Sequence, residues 1–158
     1  MFKKILVPFD GSDLAAKVLP KVVELAKTFK ADVTIVHSCY TPMIGETTPG
    51  IMKAAEPAEH KMCHTFLAQA AKTLKDEGVD VSTKCLDGEP AREIIHYAEA
   101  NKIDLIVMAT HGRGEMAWVL GSVAEKVVSH ATVPVLLFRV LEFKPVLKEV
   151  YFATPGVG

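Results

Sequence analysis

The stretch "DLIVMATHGRGEMAWVLGSVAEKVVSH" (residues 104–130) decides how this chain is read. Its start, with Ile103 before it, is almost uniformly apolar to Ala109, the pattern of a strand buried on both faces. Gly112, Gly114, Gly121 and Ser122 then punctuate a loop, and "GSVAEKVVSHA" reads as a helix. A buried strand, a glycine-rich loop and a helix make half of a parallel βαβ unit.

The same alternation extends outward from this stretch. Upstream, "KKILVPFD" (3–10) is a short apolar strand closed by Asp10 and Gly11, after which Ser12 or Asp13 caps a helix. Leu14, Val18, Val22, Leu25 and Phe29 recur three or four apart and place one stripe of that helix on a core. "ADVTIVHS" (31–38) is a second strand, and residues 39–57, rich in Pro, Gly and Thr, read as irregular. A helix then spans about Ala58 to Glu77. "VDVSTKCL" (79–86) alternates as a half-exposed strand, and a helix follows with Pro90 in its first turn. Downstream, "VPVLLFRV" (133–140) is the last strand. Five strands separated by four helices imply an open parallel sheet with helices on both faces, formed by right-handed crossovers. Residues 1–140 form the domain, and 141–158 form a tail outside the alternation.

Composition narrows the function. The 158 residues are 49% hydrophobic and 23% charged with a net charge of −1, which removes the basic footprint of a nucleic-acid binder. No apolar run approaches the ~20 residues that span a bilayer. The apolar N-terminal run "ILVPF" is short, broken by Pro8 and followed by Asp10, so it reads as a strand and not a leader. Three cysteines, Cys39, Cys63 and Cys85, are widely spaced with no pairing pattern, and an odd count fits a reducing cytoplasm.

Ligands of open parallel sheets bind beyond the carboxyl ends of the strands, where the strand order reverses. Two strand ends carry loops of unusual chemistry, "PFDGSD" and "ATHGRGEMAWVLGS", which face each other across that point if strands one and four are neighbours. Glycines let main-chain N–H groups converge on an anion, and the helix opened by Gly121 and Ser122 offers its positive dipole end to phosphate. Arg113 adds charge, and Asp10 can accept hydrogen bonds from ribose hydroxyls or a base amino group. A structural reading of the same residues is a long turn with Ser122 as a helix cap. Neither GxxxxGK[ST] nor a complete dinucleotide fingerprint is present. "HKMCH" sets His60 and His64 four apart, but no HExxH acid accompanies them, and Cys63 and His64 diverge by about 100° on a helix. No metal site is expected there. His37 and His96 are read as structural, and Trp118 as packing.

Taken together, "KKILVPFDGS", "VTIVHS", "DGEPAREII", "DLIVMATHGRG" and "GSVAEKVVSHATVPVLLFR" resemble the universal stress protein family, in order over residues 3–140. The resemblance implies the adenine-nucleotide-hydrolase-like α/β fold with strand order 3-2-1-4-5. It also implies a cytoplasmic regulatory protein of the stress response and a homodimer paired through the last strand, residues 133–140. One branch of the family binds ATP through Gly, two residues, Gly, nine residues, then Gly and Ser or Thr. By position, Pro8, Phe9 and Asp10 would border the adenosine, Ser38 the base, and Met108 the pocket wall. Ala109, Gly112, Arg113, Gly114, Gly121, Ser122 and Val123 would surround the phosphates.

The implied ligand is ATP, ADP or AMP, with Mg2+ as an optional companion. Ala109 stands in place of the first glycine, and eight residues rather than nine separate Gly112 from Gly121. Asp10, Asp13 and Glu115 are the carboxylates within the two loops, too few beside the phosphates to expect more than slow hydrolysis. The alternative is a dimeric scaffold without nucleotide that regulates an unidentified protein partner through its surface. Neither nucleic acid binding nor membrane insertion is expected.

Overall fold

The computed structural model describes residues 1–40, 49–111 and 120–140, with the side chains of 49–57 excepted. The elements run β1 (Lys4–Pro8), α1 (Asp13–Ala16), α2 (Leu19–Phe29), β2 (Asp32–Cys39), α3 (Pro49–Asp76), β3 (Val81–Asp87), α4 (Pro90–Ala100), β4 (Leu105–Ala109), α5 (Ser122–His130) and β5 (Val135–Phe138). They form one parallel sheet, as the alternation implies, of order β3-β2-β1-β4-β5, as the resemblance implies.

Strand parity builds two cores. Successive side chains of a strand point to opposite faces. Ile5 and Val7 of β1 therefore join Val33, Ile35, Leu105 and Val107 on the face covered by α1, α2 and α3. Leu6, Val36, Ile106 and Met108 face the other way, against α4 and α5. Ile5, Leu6 and Ile106 are fully buried, which is why β1 and β4 read as continuous apolar runs.

Two sequence expectations are corrected, and an open choice is resolved. The first helix divides between α1 and α2, because Pro20 sits at the start of α2 and cannot donate back into a continuous helix. Ser12, and not Asp13, caps α1, its hydroxyl accepting from the Ala15 N–H at 3.1 Å. Residues 49–57, read as irregular, are the first turns of α3; Pro49 opens the helix, where its missing N–H is harmless, and the backbone continues through Pro57. The rest of that stretch, residues 41–48, and the tail 141–158 lie outside the described residues.

The cysteines are also not all unpaired. Cys63 of α3 and Cys85 of β3 are joined in a disulfide, and Cys39 is the free thiol. Burial, then the carboxylates of Asp87 and Glu59, push the Cys39 thiol above its ordinary range. Among the described residues, no helix is long and apolar enough to cross a membrane.

Candidate functional site

Crossovers leave β1 and β4 in opposite directions, so a crevice opens past their carboxyl ends. A cavity of about 190 Å³ occupies it, larger than the ~150 Å³ that holds a benzene ring in an engineered apolar cavity.

One wall begins at the end of β1. Pro8, Phe9 and Asp10 line it, and the Phe9 N–H donates to the Val36 carbonyl at 2.8 Å, extending the pairing with β2 past the strand end. Asp10 Oδ1 accepts the Ser12 N–H at 2.9 Å, closing a turn whose Gly11 sits at φ +76°, where a side chain would be strained. His37 Nδ1 donates to the Phe9 carbonyl at 3.0 Å while its ring meets Phe66 edge-on at 4.7 Å. That geometry fits the structural role expected for His37.

The adjoining wall is the end of β2 and the turn before α4. Ser38, buried, donates its hydroxyl to the Gly88 carbonyl at 2.6 Å, and the Gly88 N–H returns to the Cys39 carbonyl at 3.3 Å. Glu89 then caps α4 by accepting the Arg92 N–H at 2.9 Å and pairs with Lys126 of α5 at 3.0 Å. The Arg92 N–H first, then Lys126, hold the Glu89 carboxyl below its ordinary range. One carboxylate thereby caps the start of α4 and ties it to the middle of α5, the two helices that flank the crevice.

The far wall is the end of β4 and the start of α5. Met108, Ala109, Thr110 and His111 line it in sequence. Thr110 and His111 are buried, and Thr110 Oγ1 lies 2.8 Å from His111 Nδ1. The Gly121 N–H donates to the Thr110 carbonyl at 2.8 Å, so the chain leaves β4 and returns to the same point before α5 begins. Gly121 caps α5 without a side chain, leaving room beside the helix's positive end. The start of α5 is thereby anchored on the end of the strand.

Eight of the residues singled out from the sequence line this one cavity: Pro8, Phe9, Asp10, Ser38, Met108, Ala109, Gly121 and Val123. Ser122 opens α5 between two of them. Gly112, Arg113 and Gly114, with Glu115 and Trp118, lie outside the described residues. The sequence reading missed Val36, Pro90 and Ile94 as lining residues. Val36 was visible through parity, two residues before Ser38 on the same face. Ile94 required knowing that α4 packs beside β2. The lining is largely apolar and suits a flat heterocycle, with polar atoms gathered at Asp10, Ser38 and the helix start.

The universal stress protein family model matches residues 1–139. A universal stress protein of Methanocaldococcus jannaschii is 35% identical, covering 88% of this chain and 83% of its own. The YxiE universal stress protein of Bacillus subtilis is also 35% identical, over 88% of this chain and its own full length. Among solved structures, the universal stress protein of Archaeoglobus fulgidus in complex with dAMP is 27% identical with a TM-score of 0.62, covering 86% of this chain and 97% of that one. The sheet order, the crevice at the β1–β4 switch point and these matches agree: the chain belongs to the universal stress protein family.

Proposed function

We propose that this protein binds an adenine nucleotide in the β1–β4 crevice and acts as a nucleotide-responsive regulator of the stress response, as a homodimer in the cytoplasm. The observation that carries the reading is the joining of an apolar slot to the glycine-capped start of α5. Base and ribose lie between Phe9, Asp10, Ser38 and Met108. The phosphates lie at Gly121, Ser122 and Val123 with Gly112, Arg113 and Gly114, where N–H groups and the helix dipole favour negative charge. The dAMP complex of the Archaeoglobus fulgidus relative supports the same ligand class. ATP, ADP and AMP share the adenosine end, and Mg2+ accompanies the longer phosphates. Binding rather than catalysis is the function, because a ligand that favours one state of the chain shifts its population without turnover.

The experiment is to purify the protein without added nucleotide, denature it, and identify any released small molecule by mass spectrometry. A titration with ATP and Mg2+, followed by Trp118 fluorescence, accompanies it. Nucleotide near one per chain, lost in Gly121→Val, is the expected result. A side chain at Gly121 would occupy the opening beside the helix start. Neither bound nucleotide nor a response at millimolar ATP would overturn the reading. Ala109, with its methyl on the cavity wall, and the shortened spacing would then favour a dimeric scaffold that acts through its surface.

A further inference from the structure

Away from the crevice wall, three sulfur atoms converge from three elements. In the β2–β3 register His37 pairs with Cys85 and Cys39 with Asp87, so Cys39 and Cys85 share the sheet face that α3 covers. From α3, Cys63 reaches the same point, and the three Sγ atoms lie within 4.8 Å of one another. His64, the next residue of α3, brings its Nδ1 to 3.8 Å from Cys85 Sγ. One turn earlier, His60 Nε2 holds Asp87 Oδ1 at 2.9 Å, placing a carboxylate beside the end of β2. A helix separates Cys63 from His64 in direction, yet both reach Cys85 Sγ, Cys63 through the disulfide and His64 at 3.8 Å.

We propose that the reduced chain binds one thiophilic metal ion, of which zinc(II) is the type, through the thiolates of Cys39, Cys63 and Cys85 with His64 as the fourth ligand. Three thiolates and an imidazole form a tetrahedral set that zinc accepts in structural sites. The nearby carboxylate of Asp87 suits a cation there. Cys63 is fully buried while His64 is exposed, so the site has a dry interior and an entry path from solvent.

The disulfide and the metal exclude each other. Opening the Cys63–Cys85 bond takes two electrons and two protons from a dithiol, whose own sulfurs end as a disulfide. Binding the ion then releases the three thiol protons to solvent. In a reducing compartment the sulfurs are thiols and the site is available. This inference stands apart from the nucleotide reading, and either can fail alone.

The test uses the full chain, reduced with a phosphine, stripped of metal with a chelator and counted at three free thiols. Zinc is titrated in competition with a chromophoric chelator, and cobalt(II) is titrated in parallel. One ion per chain is expected, with the near-ultraviolet charge-transfer band of cobalt–thiolate bonds and none of either signal from the disulfide form. Cys39→Ser should weaken binding about 100-fold and His64→Ala about tenfold. Both positions lie outside the fully buried core, so circular dichroism should show the fold kept. The proposal is overturned if the reduced chain binds no ion, if cobalt gives no thiolate band, or if Cys39→Ser binds as tightly as the parent. Mere exchange of the disulfide onto Cys39, seen by mass spectrometry without metal uptake, also overturns it.

Discussion

Asp104 precedes β4, and its Oδ2 accepts the N–H groups of both Lys3 and Lys4 at 2.7 and 2.8 Å. Its own N–H donates to the Lys4 carbonyl at 2.9 Å, so one residue ties the entry of β1 to the entry of β4. The two backbone donors, then the nearby positive charges of Lys4 and the chain's amino group, hold its carboxyl below the ordinary range. A carboxyl with a lowered folded pKa stabilises the protein above its unfolded pKa, and that contribution is lost as pH falls through the folded value. Asp104→Asn should therefore lower stability by about 1 kcal/mol near pH 7, in urea unfolding. The gap to the parent should shrink as pH falls below the usual aspartate value of about 3.9. A gap independent of pH would show that shape, not charge, holds the strand entries together.

At the scale of elements, the turn between β3 and α4 positions the cavity wall through Gly88. Its φ is +134°, and a Cβ there would come within 2.9 Å of Glu93 Cγ and Oε1. Gly78 ends α3 at φ +79° with nothing within 4 Å of a Cβ. Both glycines hold a positive φ, and at Gly88 the added methyl would also make the flexible Glu93 side chain shift. Gly88→Ala should destabilise by about 1–3 kcal/mol and exceed Gly78→Ala, because +134° lies much farther from the left-handed well than +79°. It should also loosen the Ser38 contact and weaken nucleotide binding, whereas Gly78→Ala should leave binding unchanged. Equal unfolding midpoints for the two variants would contradict this account.

Elements were legible in the sequence where a single period dominated. β1 and β4 are buried on both faces and read as apolar runs, and the turn "DGEP" before α4 carried both its cap and its proline. Residues 49–57 misled because Pro and Gly report local breaking tendency, while a helix of 28 residues is held by what its later turns pack against. The cavity was legible at Asp10 and Gly121 because strand ends and helix starts locate themselves, whereas Ser38 came only from the family resemblance. The sulfur cluster was not legible. Its members are 24 and 22 residues apart, from Cys39 to Cys63 and from Cys63 to Cys85, and it takes the β2–β3 register together with the packing of α3 on those strands to bring them together.

For the whole molecule, the two sheet edges differ in chemistry. β3 presents Ser82, Thr83 and Lys84, exposed polar residues that blunt an edge against unwanted pairing. β5 is "VLLF", half-buried at every position, an apolar edge of the kind a second chain covers. The carbonyls of Pro134 and Phe138 accept from Ile106 and Thr110 of β4. By alternation, residues 134, 136 and 138 turn their backbone toward β4, while Val135 and Leu137 turn theirs outward. Proline at such an outward position removes a donor that β4 does not use. Leu137→Pro should therefore keep the parallel sheet, lose some packing against α5, and convert a dimer to a monomer in sedimentation velocity. A parent that sediments as a monomer would overturn the dimer reading, and a folded Leu137→Pro that remains dimeric would place the contact between copies elsewhere.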